Sequence, residues 1–184
     1  MNVITTPIEG LLILEPKILS DDRGYFFESY NVQTLKDLAG FSNIFVQDNQ
    51  ARSSKNVLRG LHYQNEPHAQ SKLVRALVGA IWDVVVDIRP GSSTYGRWYG
   101  VELSAENKRQ FLIPRGFAHG YSVLSDTAEV FYKCDNFYNK ASEGGIFYAD
   151  PSLNIDWKIN LDEAIISDKD KVNPPLKEAA ISFN

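Results

Sequence analysis

The apolar residues of the chain fall in short runs rich in Val, Ile, Phe, Tyr and Trp, separated by Gly, Pro, Asp and Asn. Such runs bounded by turn residues are typical of β-strands, and helical spacing is scarce. The pattern predicts strands at Leu11–Leu14, Tyr25–Ser29, Asn43–Asp48, Leu58–Tyr63, Lys72–Val78, Ile81–Ile88, Arg97–Leu103, Gln110–Ile113, Tyr121–Val123 and Ala128–Asp135.

The capping and turn residues predict one early helix and one tight turn between strands. Asn31 can cap a helix N-terminus, apolar residues follow at helical spacing, and Gly40 lies where a left-handed C-terminal residue is expected. A second short helical piece is expected after Asn160. The pair Gly79-Ala80 divides two apolar runs and suits a hairpin. Many close strands with few helices favour a mostly β, double-sheet jelly roll or small barrel.

Composition narrows the range of partners. The chain has 184 residues, a net charge of −4 and a pI near 5.4. We interpret residues 1–184 as one domain, because no linker, repeat or low-complexity segment divides them. Bulk charge does not draw such a chain to nucleic acid or anionic membranes. The single cysteine, Cys134, predicts a reducing, cytoplasmic compartment, and no apolar run predicts a signal peptide or membrane span.

His62 and Arg59 lie three residues apart in one strand-like run. An isolated histidine in such a strand is more often a partly exposed polar side chain than a functional group, so both interpretations stay open here. In a regular strand the two side chains point to opposite faces. If both serve one site, Gly60 should therefore mark a β-bulge that re-aims one of them.

Two further strands carry polar groups on faces that a jelly roll would bury. Lys72 and Arg75 fall on opposite faces of one strand, and a cation turned inward needs a polar or anionic partner. The alternative is that both lie in water at a strand end. Tyr132 shares a face with Val130 and Cys134, and a phenol inside a barrel needs a hydrogen-bond partner, although core tyrosines are common.

His119 follows an irregular turn that begins at Pro114. Cupin barrels, which are jelly rolls, often carry a Pro-x-Gly-x-x-His segment of this kind, with the histidine as a metal ligand. The usual partner motif, His-x-His followed by Glu, is missing, because Tyr63 and Gln64 follow His62. We expect no metal and no other cofactor, and a metal-dependent cupin enzyme remains an alternative.

Several motifs in a fixed order carry a resemblance to one enzyme family. They are Arg59–Gln64, Ser71–Arg75, Pro114–Gly120, Tyr132–Cys134 and Ser167–Asp170, together with Asp22–Glu28 and Glu143–Ile146. From about Ile8 to Asp170 the chain resembles the dTDP-4-dehydrorhamnose 3,5-epimerases. The resemblance implies a cupin-type jelly roll and a cofactor-independent isomerase.

The substrate that the resemblance implies is dTDP-4-dehydro-6-deoxy-D-glucose. Its C4 ketone acidifies the hydrogens on C3 and C5, so proton abstraction can give an enolate. By the same resemblance His62 is the base, Asp170 orients it, Tyr132 is the proton donor on the opposite face, and Lys72 stabilises the enolate oxygen. The implied product, dTDP-4-dehydro-L-rhamnose, belongs to dTDP-L-rhamnose biosynthesis, which supplies polysaccharides such as O antigen.

The resemblance also implies a nucleotide-binding surface and a homodimer. Arg59 and Arg23 suit the pyrophosphate, because guanidinium groups pair well with phosphate oxygens, and Phe26 suits packing near the nucleotide. Other residues implied to line the substrate site are Glu28, Gln47, Asp48, Asn49, His119, Tyr138, Glu143 and Lys169. In the implied dimer an N-terminal strand crosses to the partner, which would bring Arg23 and Glu28 to the neighbouring site.

The chain departs from the family pattern at Ser93, at Tyr148 and Ala149, and at Lys158. None of these positions is an implied catalytic residue. Because the segment Asn139–Ala149 is expected near the substrate pocket, the exact sugar and the number of inverted carbons stay open. A carbon-3-only epimerase of a related keto sugar and a non-catalytic sugar-nucleotide-binding cupin therefore remain alternatives.

Overall fold

The computed structural model describes residues 1–183, which form mainly strands. In chain order these are β1 (Asn2–Thr5), β2 (Leu12–Glu15), β3 (Leu19–Asp21), β4 (Gly24–Phe26), β5 (Gln47–Ser54), β6 (Val57–Gln64), β7 (Lys72–Val78), β8 (Ala80–Asp87), β9 (Trp98–Ser104), β10 (Gln110–Ile113), β11 (Phe117–Val123), β12 (Thr127–Cys134), β13 (Glu143–Gly145) and β14 (Ile165–Ile166). The helices are α1 (Val32–Ala39) and α2 (Asp168–Lys171), with 3-10 turns at Lys140–Ser142, Leu161–Glu163 and Leu176–Glu178. Among the described residues no helix has the length and apolar character needed to cross a membrane.

Two large sheets pack face to face. The first has the strand order β1-β2-β10-β7-β12-β5, and the second has the order β13-β6-β11-β8-β9, with β14 beside β6. Their inner faces share one apolar cluster, which includes Val74 and Val130 of the first sheet and Val85 and Val123 of the second. The predicted mostly β, double-sheet jelly roll is confirmed.

Separate apolar clusters cover the outer faces of the sheets. On the first sheet, Leu35 of α1 belongs to a cluster with Leu73 and Leu112. The helix has the predicted caps: the Asn31 side chain accepts hydrogen bonds from the backbone N–H groups of residues 33 and 34, and Gly40 is left-handed with φ +65°. On the second sheet the C-terminal segment supplies the cover. Because both outer faces are packed, each sheet is held as a fixed wall of the interior.

The hairpin predicted at Gly79-Ala80 is wrong. β7 pairs with β10 and β12, whereas β8 pairs with β9 and β11, so the chain crosses from the first sheet to the second at this turn. Both strands carry inward apolar residues, such as Ala76 and Ile81, in the same central cluster. Placing the strands in opposite layers lets these residues pack against one interior, which the short turn alone could not indicate.

The strand predicted at Asn43–Asp48 is also displaced. The structure begins this strand at Gln47 and continues it to Ser54, through a mostly polar segment. Pairing with β12 along its full length holds the segment as a strand, so tertiary contacts override its weak strand propensity. The short strands β1, β3, β13 and β14 have no counterpart among the predicted strands.

The expected bulge at Gly60 is present. His62 lies opposite His119 and Arg59 lies opposite Tyr121, so the two residues between Arg59 and His62 face only Gly120 on β11. The extra residue shifts the alternation of β6 by one position. As a result, Arg59 and His62 both face the space between the sheets.

Gly60 should be essential for this close packing of β6 on β11. It has φ +125°, and a Cβ there would lie 2.6 Å from Gly120 Cα and 2.9 Å from the His119 carbonyl oxygen. Gly24 has the same φ, but a Cβ there would meet nothing within 4 Å. We expect Gly60→Ala to lower the free energy of unfolding by roughly 3–5 kcal/mol, and Gly24→Ala by at most about 1–3 kcal/mol. Denaturant titrations of both variants measure this difference, and equal losses would contradict the close-approach argument.

Candidate active site

A polar cavity opens between the two sheets. One part has a volume of about 470 Å³ and an adjoining part about 190 Å³, and His62, Lys72 and Tyr132 line both. The larger part is also lined by the predicted residues Arg59, His119, Lys169 and Asp170, and the smaller part by Gln47, Asn49, Tyr138 and Glu143. The structure therefore brings most of the predicted site residues together around one space.

His62 and Asp170 form a close pair on the second-sheet side of the cavity. His62 Nε2 lies 2.6 Å from Asp170 Oδ1, and the Gly60 backbone N–H donates to Oδ2 at 3.3 Å. Asp170 lies in α2, where its backbone N–H donates to the capping hydroxyl of Ser167 at 3.2 Å. Burial alone would raise the pKa of Asp170, but the hydrogen bond with His62 and the other donors lower it. Asp170 is thus a charged acceptor that can fix the imidazole and stabilise its protonated form.

Lys72 and Tyr132 form the first-sheet side of the cavity. They lie on the neighbouring strands β7 and β12, with Lys72 Nζ 5.8 Å from the centre of the Tyr132 ring. Burial lowers the pKa of the Lys72 ammonium, and burial raises the pKa of Tyr132 to about 12. Tyr132 is therefore a neutral phenol near pH 7. Because His62 and Tyr132 belong to opposite sheets, a ring bound between them would have a histidine on one face and a phenol on the other.

His119 is held by a carboxylate that sequence reasoning missed. His119 Nε2 lies 3.0 and 2.9 Å from the two carboxylate oxygens of Asp83, and both side chains are buried. Burial lowers the pKa of His119, while Asp83 opposes the shift. A signal was present in the sequence: Asp83 interrupts the apolar run Ile81–Ile88 on the same face as Ile81 and Val85, which pack in the central cluster. An acidic residue on such a face requires a partner inside the fold.

Polar side chains surround the outer part of the cavity. Lys169 pairs with Glu143, and the Tyr138 hydroxyl donates to Glu143 Oε2 at 3.2 Å. Burial alone would raise the pKa of Glu143, but Lys169 and Tyr138 lower it. Across the opening, Gln47 Nε2 donates to Asn49 Oδ1 at 3.1 Å. These groups offer donors and acceptors to the hydroxyl groups of a polar ligand.

Arg59 places a positive charge at the end of the cavity near β5. Its Nε donates to Ser53 Oγ at 3.1 Å, and the residue is otherwise exposed. One donor of the guanidinium is therefore used to hold its position, and the others remain available. A planar group with several free N–H donors suits phosphate oxygens.

Four predicted residues do not line this cavity in their own chain. Because successive side chains of a strand alternate, Asp48 lies on the opposite face of β5 from Asn49. There it accepts a hydrogen bond from Lys133 Nζ at 2.9 Å. Arg23 and Phe26 belong to the β3–β4 hairpin, a separate two-stranded sheet. The Arg23 side chain pairs with Asp21 and is 89% exposed, and Phe26 is 69% exposed. Glu28, which follows the hairpin, contacts Asn31 and Thr34.

The departures from the family pattern also lie away from the cavity lining. Tyr148 packs in the outer cluster of the second sheet, where its carbonyl accepts a hydrogen bond from Trp157 Nε1 at 2.8 Å. Lys158 lies over the ring of Trp82 at 5.6 Å, and Ser93 lies in the loop after β8. The segment Asn139–Ala149 therefore meets the expectation only in part: Glu143 lines the cavity, whereas Tyr148 packs on the outer face.

The described part of the chain offers no evident metal site. Among residues 1–183, no group of three His, Cys, Asp or Glu side chains has a geometry that could hold a metal ion. His119, the residue that the cupin motif would make a ligand, has its Nε2 bonded to Asp83 instead. This donor set gives no support to the metal-dependent alternative.

Comparison with known proteins identifies the family. Residues 5–178 match the family model described as dTDP-4-dehydrorhamnose 3,5-epimerase. The chain belongs to this family. A dTDP-4-dehydrorhamnose 3,5-epimerase of Shigella flexneri is 56% identical over 170 residues, which cover 92% of this chain and 93% of the relative.

Solved structures of the family share the fold over almost the whole chain. The crystal structure of the dTDP-4-dehydrorhamnose 3,5-epimerase from Elizabethkingia anophelis has a TM-score of 0.94 and 53% identity, covering 97% of both chains. A dTDP-6-deoxy-D-glucose-3,5-epimerase from Legionella pneumophila, solved in complex with dTDP-4-keto-L-rhamnose, has a TM-score of 0.93 and 51% identity, covering 96% of this chain and 93% of that one. The cavity described above thus belongs to a fold that binds a dTDP-linked keto sugar in a similar protein.

Proposed function

We propose that the chain epimerises dTDP-4-dehydro-6-deoxy-D-glucose at C3 and C5 to dTDP-4-dehydro-L-rhamnose. The observation that carries this proposal is the placement of His62 and Tyr132 on opposite sheets, facing one cavity. Inversion at carbon requires removal of a proton on one face and its return on the other. A base and an acid on facing walls provide this geometry without moving the sugar.

The reaction follows from the chemistry of the four groups that face the cavity. His62 takes the C3 or C5 proton as the base, and the electron pair moves into the C4 carbonyl to give an enolate. Asp170 stabilises the imidazolium, while the Lys72 ammonium stabilises the enolate oxygen. Tyr132 then donates its phenolic proton to the opposite face of the same carbon, and the imidazolium proton leaves through solvent as the phenol is restored. One proton replaces another at each carbon, so the reaction requires no oxidant or reductant.

The cavity also suits a nucleotide-linked sugar. Arg59 supplies the charge for a diphosphate, and Lys169, Glu143 and Gln47 surround the outer opening with hydrogen-bonding groups. The similar Legionella protein was solved with dTDP-4-keto-L-rhamnose, which supports a dTDP-linked 4-keto-6-deoxy sugar as the ligand here. We place the reaction in dTDP-L-rhamnose formation in the cytoplasm, where a single buried cysteine stays reduced.

We further propose a homodimer in which the β3–β4 hairpin serves the partner's cavity. The hairpin exposes Tyr25, Phe26 and Leu19, and exposed apolar side chains of this size favour a protein contact. Arg23 lies at its tip with a largely exposed side chain. Crossing to a second subunit would cover the aromatic rings and add a second guanidinium to the nucleotide-binding end of the partner's cavity.

Solvent deuterium exchange tests the reaction. The wild-type enzyme should incorporate deuterium at both C3 and C5 of the keto-sugar nucleotide and invert both carbons. His62→Ala should lower exchange at both positions by about 100- to 10,000-fold, because the base is removed. Its affinity for dTDP should stay within about twofold, because the imidazole contributes little to nucleotide binding.

His68→Ala provides the matched histidine control. His68 Nδ1 is hydrogen-bonded to Ser142 Oγ at 2.9 Å, outside the cavity lining, so exchange should be retained.

Wild-type label at C3 with no inversion at C5 would establish a carbon-3-only epimerase. Label at neither carbon, with dTDP still bound, would leave a non-catalytic binding protein.

Tyr132→Phe separates proton removal from proton return. The variant keeps the ring and its packing, so thermal stability should change little. His62 should still remove the C3 and C5 protons, but no group on the facing wall can return one, and we expect deuterium exchange without inversion. Product stereochemistry measured beside deuterium content checks this. Normal inversion by the variant would make Tyr132 a packing residue and direct the search for the acid to Tyr138.

Mixed dimers test the hairpin exchange. Arg23→Ala and His62→Ala each inactivate their homodimers if both residues are needed. In a co-expressed heterodimer, the site with His62 intact would receive Arg23 from the partner, while the other site stays inactive. Because random pairing makes about half of the dimers heterodimers, about a quarter of wild-type activity should return. If Arg23 acts in its own chain, the mixture stays inactive. Each variant expressed alone is the control, and light scattering reports the dimer.

A further inference from the structure

Tyr121 is a buried residue of the cavity that the proposed mechanism does not use. It lies on β11, lines the larger part of the cavity, and is only 5% exposed. Within residues 1–183 its hydroxyl has no hydrogen-bond partner. The resemblance-based site residues do not include it.

The neighbours of Tyr121 define which end of the cavity its hydroxyl serves. Tyr121 lies directly opposite Arg59 on β6, and both side chains line the cavity. Ser53 lies close enough to lower the pKa of the Tyr121 phenol, but its hydroxyl makes no hydrogen bond to Tyr121 with good geometry and accepts from Arg59 Nε at 3.1 Å. The Tyr121 hydroxyl therefore stands beside a guanidinium that is already oriented, at the end of the cavity suited to an anion.

An unpaired buried hydroxyl is unfavourable for folding unless something else uses it. Leaving such a group without a partner destabilises a protein, whereas phenylalanine would fill the same space without that loss. Burial also raises the pKa of Tyr121, so the hydroxyl stays protonated and acts as a donor near pH 7. A ligand with an acceptor oxygen at this point would satisfy it.

We propose that the Tyr121 hydroxyl donates a hydrogen bond to a diphosphate oxygen of the bound nucleotide, beside the guanidinium of Arg59. The inference rests on the sugar-nucleotide function proposed above. A phosphate oxygen accepts several hydrogen bonds at once, so it can take one from a guanidinium and one from a phenol. The reacting sugar, by contrast, is expected between His62 and Tyr132.

Tyr121→Phe in the otherwise unchanged chain tests the contact, with dTDP as the ligand and calorimetry as the measurement. Loss of one hydrogen bond to a charged oxygen should weaken dTDP binding by about tenfold or more. In turnover, KM for the keto-sugar nucleotide should rise while kcat stays within about twofold. Without ligand, the melting temperature should be unchanged or higher, because the variant removes an unpaired hydroxyl rather than a structural bond.

Tyr99→Phe is the matched control. Tyr99 packs against the same central cluster, with its ring 6.2 Å from that of Phe111, and does not line the cavity. The Tyr99→Phe variant also loses one hydroxyl group, but its affinity for dTDP should be unchanged.

Several outcomes would overturn the inference. Unchanged dTDP affinity in Tyr121→Phe would do so, and a lower melting temperature with unchanged affinity would make the hydroxyl structural. Equal weakening of dTDP and of thymidine, which lacks phosphate, would move the contact to the nucleoside. If the wild-type protein exchanges deuterium while Tyr121→Phe binds dTDP normally, only this inference fails. If wild type neither binds dTDP nor exchanges deuterium, the proposed function fails with it.

Discussion

The cavity depends on pairing polar groups that two apolar sheets would otherwise leave unsatisfied. His62 is held by Asp170 at 2.6 Å, and His119 is held by Asp83 at 2.9 Å. The first pair joins β6 to α2, and the second joins the neighbouring strands β11 and β8. Each imidazole therefore has one nitrogen fixed by a carboxylate, so the same hydrogen bonds that permit burial also set the orientation of the rings.

The two walls of the cavity differ in what they can do with a proton. On the second sheet, His62 is backed by a carboxylate whose pKa is lowered, which favours a protonated imidazole once a proton arrives. On the first sheet, burial holds the pKa of Tyr132 at about 12, so this phenol can only donate near pH 7. Lys72 lies on the same wall, where its charge can compensate a developing enolate. In the proposed reaction, the direction of proton transfer would thus be set by the environment of each wall.

Sequence patterns identified the walls better than they identified the connections between them. Runs of Val, Ile and Tyr predict most strands of both sheets. If Arg59 and His62 serve one site, their parity predicts a bulge at Gly60, which the structure contains. The hairpin predicted at Gly79 is wrong, since a short turn does not reveal whether the next strand stays in its sheet. The polar strand Gln47–Ser54 was displaced, because pairing with β12 and not local propensity holds it.

The same limit applies to the site. Motif resemblance named His62, Lys72, Tyr132 and Asp170, but it did not name Asp83, the buried carboxylate that holds His119 from the neighbouring strand. The bulge at Gly60 shows why position matters as much as identity: Arg59 and His62 flank it and both face the cavity. The strand segment that carries Arg59 also carries His62, so a nucleotide bound at Arg59 would fix the position of its sugar relative to His62. β6 packs closely against β11 through Gly60 and Gly120, which leaves this segment little room to move. Binding of the nucleotide would therefore also align the sugar carbon with His62.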